Sequence, residues 1–386
     1  MKKLSSQLFI LFLALLTAPT SGCGSDDSRE TPTLTQLNIS SSNGNRLDIV
    51  SDETTVLTVV GQDQSGNSIG INSSIEWSVN NSNVSIDADG KVSALAVGAS
   101  VITAAAEGLE TTFDISVWDS SAPRTDIYVS DAGNFDSPPW QILIYDENGA
   151  NPRVFTNDRV AWPQDILILE DQEVVLVSNL NTGTITKYDI NSGDFISNFA
   201  SGIGGPTRMK IGPDNLLYVL QWSGNGLVKR YELNGTFVDD FTSVGITQSI
   251  GLDWDTEGNL YVSSFDGATV RKFDSSGSDM GLFISSGLTG PTNIWFAADD
   301  LIVNDWSGGA IRRYDNSGNF QGNIVSGLSQ VEGIAIFDNG NFIIGNGGTA
   351  SVKMYNSAGN YIKDLVPSGR GGLIKPNAIT LRKVNQ

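Results

Sequence analysis

The stretch Gly290–Phe320, GPTNIWFAADDLIVNDWSGGAIRRYDNSGNF, decides the fold. It reads as a short apolar strand, a turn, a second strand, a Ser-Gly-Gly loop and a third strand ending at Tyr314-Asp315. The pattern returns from Asp126 to the C-terminus. Its phase is set by the third-strand aromatics Tyr145, Tyr188, Tyr231, Phe273, Tyr314 and Tyr355, spaced 43, 43, 42, 41 and 41 residues apart. An acidic residue or Asn follows each aromatic, and Gly149, Gly193, Gly235, Gly277, Gly318 and Gly359 close the turns. Six copies of a four-stranded unit at this period predict a β-propeller.

Within the unit, strand A is Pro291 to Phe296, B is Leu301 to Asp305, C is Ala310 to Tyr314 and D is Phe320 to Val325. The array begins on a B strand, Asp126 to Asp131, and ends on an A strand, Asn377 to Arg382. The final strand is therefore expected to complete the first blade and seal the ring, removing its open edges. The wording LYVSSFDGATVRKFDSSG (260–277) and IVNDWSGGAIRRYDNSG (302–318) resembles NHL-repeat and gluconolactonase-like six-bladed propellers, over residues 123–386.

Upstream, Leu34 to Asp119 alternates in short pieces such as Ile75, Trp77 and Val79, with turn signals every 8–12 residues. This predicts a β-sandwich with a central buried tryptophan. The run IEWSVNNSNVSIDADGKVSALAVGASVITA (75–104) resembles the group 2 bacterial immunoglobulin-like domain, a spacer or adhesion module of surface proteins. Asp87 and Asp89 read as a turn, since calcium needs more oxygen ligands than they supply. The fold class expected is thus all-β: an immunoglobulin-like sandwich (34–119) followed by a six-bladed propeller (123–386).

The N-terminus carries an address. Lys2 and Lys3 precede the apolar run Leu8 to Leu16, too short to span a bilayer and suited to a signal peptide (1–22). Thr20-Ser21-Gly22-Cys23 resembles the lipobox of bacterial lipoproteins, although Thr20 stands where an aliphatic residue is usual. The resemblance implies a lipid on Cys23, anchorage in the bacterial cell envelope and, with Gly24 in place of aspartate, sorting to the outer membrane. Residues 23–33 read as a tether.

Composition narrows function. Histidine is absent, which excludes Ser-His-Asp and Cys-His catalysis and histidine-bound zinc or haem. Cys23 is the only cysteine, so no intrachain disulfide forms. A net charge of −20 disfavours nucleic acid as a partner.

The A-strand starts and B-strand ends are expected to meet at one mouth of the channel. Gln164, Thr207, Gln248, Thr292, Glu332 and Asn377 form one column, and Asp165, Arg208, Ser249, Asn293, Gly333 and Ala378 the next. The B ends supply Asp131, Asn179, Gln221, Ser264, Asp305 and Asn346, as ligand groups or as partners of loop backbone. Trp222, Phe265 and Trp306 follow the B ends of successive blades, as a stacking surface or as loop packing. The longer loop Ala132 to Gln141 is expected to cover part of the mouth through Pro138-Pro139-Trp140.

Three readings follow. The first is an envelope lipoprotein whose propeller mouth binds a glycan, a peptide or another envelope protein, without a cofactor. The second, implied by the gluconolactonase-like resemblance, is a metal-dependent lactonase or esterase, with Ca2+ on Glu332, Asn377 and Asp305. A purely structural or adhesive protein is the third reading.

Overall fold

The computed structural model describes residues 31–42 and 44–384. The signal peptide, Cys23 and most of the tether lie outside the described residues. Among the described residues no helix is long and apolar enough to cross a membrane.

Residues 34–118 form two sheets. One orders Leu34–Ser41, Thr54–Asp63, Lys91–Ala94 and Val84–Ile86, with Ser68–Ile69 beside the second of these. The other orders Arg46–Asp48, Leu109–Trp118, Gly98–Ala106 and Glu76–Val79. Leu57, Val84 and Val92 from the first share one core with Leu47, Ile102, Ile115 and Val117 from the second. Trp77 is not the centre of that core. It is half-buried on the edge strand Glu76–Val79, against the turn at Gly90. Asp87 closes this turn by accepting the Asp89 and Lys91 amides at 3.0 and 2.9 Å.

Residues 124–384 form six four-stranded antiparallel sheets, here blades 1 to 6. Their A strands are Pro376–Val384, Pro163–Leu169, Pro206–Ile211, Ser249–Trp254, Pro291–Ala297 and Val331–Ile336. The B strands are Arg124–Asp131, Val174–Asn179, Leu217–Gln221, Leu260–Ser264, Asp300–Asp305 and Phe342–Asn346. Blade 1 takes its A strand from the C-terminus: Pro376–Val384 pairs with Arg124–Asp131 along its whole length. No sheet closes on itself. The A strands instead touch one another in blade order, and that of blade 6 returns to that of blade 1, so the sheets form a ring.

The periodic glycines explain why blades nest. Each closes a C–D turn at positive φ, from 72° at Gly149 to 96° at Gly235. The preceding Asp or Asn satisfies the turn: Asp315 accepts the Ser317 and Asn319 amides, both at 2.9 Å. A Cβ on any of these glycines would collide with a D-strand carbonyl of the previous blade, at 1.9 Å from Phe155 O for Gly193 and 2.0 Å from Leu365 O for Gly149. The Leu365 contact joins blade 6 to blade 1. Apolar B-strand residues such as Val175, Val177, Leu260 and Val303 fill the gaps between blades.

Candidate functional site

The B-end column holds loops. Asp131 is fully buried; its carboxylate accepts the Ile374 and Lys375 amides at 3.0 and 2.8 Å and that of Gly133 at 3.0 Å. Asn179 accepts from Ala161 N at 2.9 Å, Gln221 from Gly204 N at 3.0 Å, Asp305 from Thr289 N at 3.1 Å and Asn346 from Ser329 N at 2.7 Å. In blade 4 the polarity reverses, and Ser264 Oγ donates to Thr247 O at 2.8 Å. Apart from Gly133, in the loop that follows Asp131, each of these partners lies in the connection leading into the A strand of the same blade. The column is a set of latches, and these six side chains are spent on backbone.

The A-strand starts behave differently. In each blade the A/B register shifts just after the first A residue, leaving a bulge. The first residue of each A strand pairs with a B end: Pro376, Pro163, Pro206, Ser249, Pro291 and Val331. The residues that follow are Asn377, Gln164, Thr207, Ile250, Thr292 and Glu332. This corrects the expected column in blade 4, where Ile250 takes the place assigned to Gln248 and Gly251 that assigned to Ser249.

Alternate blades use the bulge residue differently. Asn377 Nδ2, Thr207 Oγ1 and Thr292 Oγ1 donate to the first A-strand carbonyl of the next blade, at 3.1, 2.7 and 3.1 Å. These three lace the ring together. Gln164, Ile250 and Glu332, from the intervening blades, line the mouth.

Arg208 spans the channel from blade 3 and is only 4% exposed. Its Nη2 donates to Glu332 Oε1 at 3.2 Å and to Asn377 O at 2.9 Å, and its Nη1 donates to Gln164 O. Asp165 lies 3.7 Å from the guanidinium and accepts the Met209 and Ile166 amides at 2.7 and 3.0 Å. Burial pushes both carboxyls up against the opposing pull of Arg208; Glu332, which also feels Asp165, is raised to about 7.

Above this floor lies a cavity of about 300 Å³. Gln164, Ile250, Thr292, Glu332 and Asn377 form its base, and half-buried apolar side chains form its rim. Trp222, Phe265 and Trp306 supply one arc, with successive ring centroids 5.7 and 5.8 Å apart. Phe135 and Trp162, 5.3 Å apart, extend the rim to blades 1 and 2. The rim opens at blade 6, where Gly347 occupies the position that follows the B end.

The long loop of blade 1 does reach the mouth, but through Phe135 and Asp136. Trp140 turns back, donating its indole N–H to Phe135 O at 2.8 Å and packing against the blade 1–2 core. Trp162 went unmarked in the sequence; it sits at φ 52°, and its indole nitrogen is buried without an acceptor.

Of the expected ligand groups, Trp222, Phe265, Trp306, Glu332 and Asn377 meet at this cup. Asp131, Asn179, Gln221, Asp305 and Asn346 do not, because each is bound to its loop. Asp165 and Arg208 adjoin the floor through Gln164 and Glu332. Asn293, half-buried in the bulge of blade 5, is not among the lining residues.

The donors proposed for calcium do not assemble. Asp305 is fully buried, pairs with Arg312 at 2.7 Å and lies off the cup. Glu332 faces a guanidinium, and Asn377 Nδ2 is committed to Pro163 O. Among the described residues no group of three or more acidic, Cys or His side chains is placed to hold a metal. Arg208 supplies at this floor the positive charge that a cation would bring.

No family model matches the chain, and no curated protein is detectably similar to it in sequence. Solved structures are similar in shape. A chain of the nidogen/laminin complex aligns with a TM-score of 0.55 at 13% identity, over 67% of this chain and 98% of that one. A Bacteroides caccae protein of unknown function aligns at 0.54 and 14%, over 67% and 99%. The fold is that of a β-propeller. At these identities the likeness concerns the fold alone, and chemistry has to be read from the propeller's own side chains.

Proposed function

We propose that this protein is an envelope lipoprotein whose propeller binds a ligand in the aromatic cup, and that the ligand is a glycan. The observation that carries this reading is the half-buried arc Trp222–Phe265–Trp306 around the polar groups of Gln164, Glu332 and Asn377. Pyranose rings present an apolar face that stacks on indole or phenyl, and hydroxyls at their edges that hydrogen-bond. The unpartnered Trp162 indole N–H adds a donor. A cavity of about 300 Å³ suits a terminal sugar better than a chain threading the channel, which Arg208 crosses.

In this reading Cys23 carries the lipid that anchors the chain in the outer membrane, and residues 34–119 are an immunoglobulin-like spacer. The propeller is of NHL-like type. Lactone or ester hydrolysis is the weaker reading, because the carboxylates it requires are latched or paired with arginine.

A glycan array probed with the wild-type chain, Trp222→Ala and Trp306→Ala tests the proposal. Saturable binding that falls about fivefold or more in each variant is expected, at a stacking worth of about 1 kcal/mol or more per ring. Unchanged glycan binding in both variants discards the cup as the site.

A further inference from the structure

The chain's negative charge hides a cationic cavity at the junction between the two-sheet domain and blade 1. Strand alternation builds it. Arg124, Asp126 and Tyr128 share one face of the first B strand, Arg382 pairs opposite Asp126, and Arg153 pairs opposite Ile144, itself opposite Tyr128. Cross-strand partners point to the same side, so three arginines from three strands of blade 1 converge. The N-terminal domain adds Arg46 and Trp118 from two paired parallel strands, Arg46 opposite Ser116 and Trp118 opposite Asp48. The Arg46 and Arg124 guanidinium groups lie 3.4 and 4.4 Å from the Trp118 ring centroid.

These side chains line a cavity of about 380 Å³ together with Tyr128. Asp126, fully buried, answers Arg124 at 3.1 Å and Arg153 at 3.0 Å. Arg382 is held by Glu170 at 3.0 Å. Arg46 has no carboxylate within ion-pairing distance: its Nε and Nη1, and the Nη1 of Arg153, are removed from solvent without a hydrogen-bond acceptor. The nearby Asp146 is occupied by its own turn, accepting from Asn148, Ala150 and Asn151 at 2.9, 2.9 and 2.6 Å. Burial, and then Arg153, push Arg46 down to about 10, the signature of a cation short of counter-charge. Buried guanidinium donors are ordinarily satisfied, and their fork geometry matches planar or tetrahedral oxyanions.

We propose that this junction is an oxyanion-binding site, in which Arg46, held by Trp118, and Arg153 clamp a carboxylate, sulfate or phosphate group of a small ligand. The site stands apart from the aromatic cup and does not depend on it. Because its two clamping arginines come from different domains, occupancy would also fix the sandwich against the propeller.

The test is calorimetric titration of the full chain with sulfate, inorganic phosphate and glucuronate, each against sodium chloride of equal ionic strength. Saturable binding of at least one, weakened tenfold or more in Arg46→Gln and Arg153→Gln but not in Trp222→Ala, is expected. Binding of the inorganic anions alone marks a bare oxyanion site; stronger binding of glucuronate marks an acidic sugar, and both uphold the proposal. Absence of saturable binding for all three, or equal binding in the Arg46→Gln/Arg153→Gln double variant, overturns it. If those variants misfold, an anomalous-scattering map of wild-type crystals soaked in selenate decides: a peak among these arginines supports the site, and none there refutes it.

Discussion

Two rings of polar side chains face the same mouth of the propeller, and they do opposite things. The B-end ring, Asp131 to Asn346, is consumed in holding loops: five of its side chains accept backbone amides of the same blade, and Ser264 donates to a loop carbonyl. The ring at the A-strand bulges divides by alternate blades. Asn377, Thr207 and Thr292 knit neighbours together, with Asn377 and Thr292 also reaching the base of the cup, whereas Gln164, Ile250 and Glu332 make no such tie and line the cup. Residue type does not separate the rings, since a carboxylic acid, Asn, Gln and Thr or Ser occur in both kinds of position. The bulge does, because one extra residue turns a side chain from the ladder toward the channel.

The comparison can be broken most severely at the closure. Deleting residues 374–386 removes the whole A strand of blade 1 and both latch amides of Asp131. Loss of cooperative thermal unfolding of residues 124–384 is expected; a truncated chain melting like wild type would show that the ring does not need this strand. Next in size is Asp131→Ala, which strips the acceptor from three backbone amides and should cost about 3 kcal/mol in denaturant unfolding. Glycan binding in the cup should survive it, because Asp131 does not line the cavity.

Glu332 sharpens the contrast through pH. Its carboxyl titrates at about 7 in the fold, above the ordinary 4.5, so the folded chain holds a proton that the unfolded chain gives up. Stability from this group is complete below pH 4.5 and is lost as pH rises through 7, by about 3 kcal/mol in all. Glu332→Gln should flatten that slope in melting curves taken from pH 4.5 to 7.5. An unchanged slope would place the titration elsewhere. Thr207→Val, which removes one buried tie to Ser249 O, should cost about 1 kcal/mol and leave ligand affinity intact, since Thr207 does not line the cup. Ile250→Thr, at the lining position of blade 4, should alter ligand affinity with the smallest change in melting temperature.

How far the sequence could be read depended on local punctuation. Proline marks the first A-strand residue in blades 1, 2, 3 and 5, and there the bulge residue was placed correctly. Blade 4 begins at Ser249, and without proline the polar Gln248 imitated the pattern, so Ile250 was passed over. Matching by polarity fails there because a bulge shifts the side-chain alternation by one residue. The rim was half legible. Trp222, Phe265 and Trp306 recur at one register position, but Phe135 and Trp162 come from irregular loops with no period to reveal them. The arginine cluster gave no sequence signal, since Arg46, Arg124, Arg153 and Arg382 are up to 336 residues apart.

The sequence by itself determined the repeat, the six turns in which an aromatic is followed by an acid or Asn and then glycine, and the order in which the chain enters and leaves the ring. These are local or periodic properties, written in side-chain alternation and in glycines that must adopt positive φ. Tertiary structure alone decided which polar groups are free. Whether a carboxylate meets a backbone amide, a guanidinium or an open cavity depends on chain segments more than a hundred residues away, as Glu332 and Arg208 show across the channel.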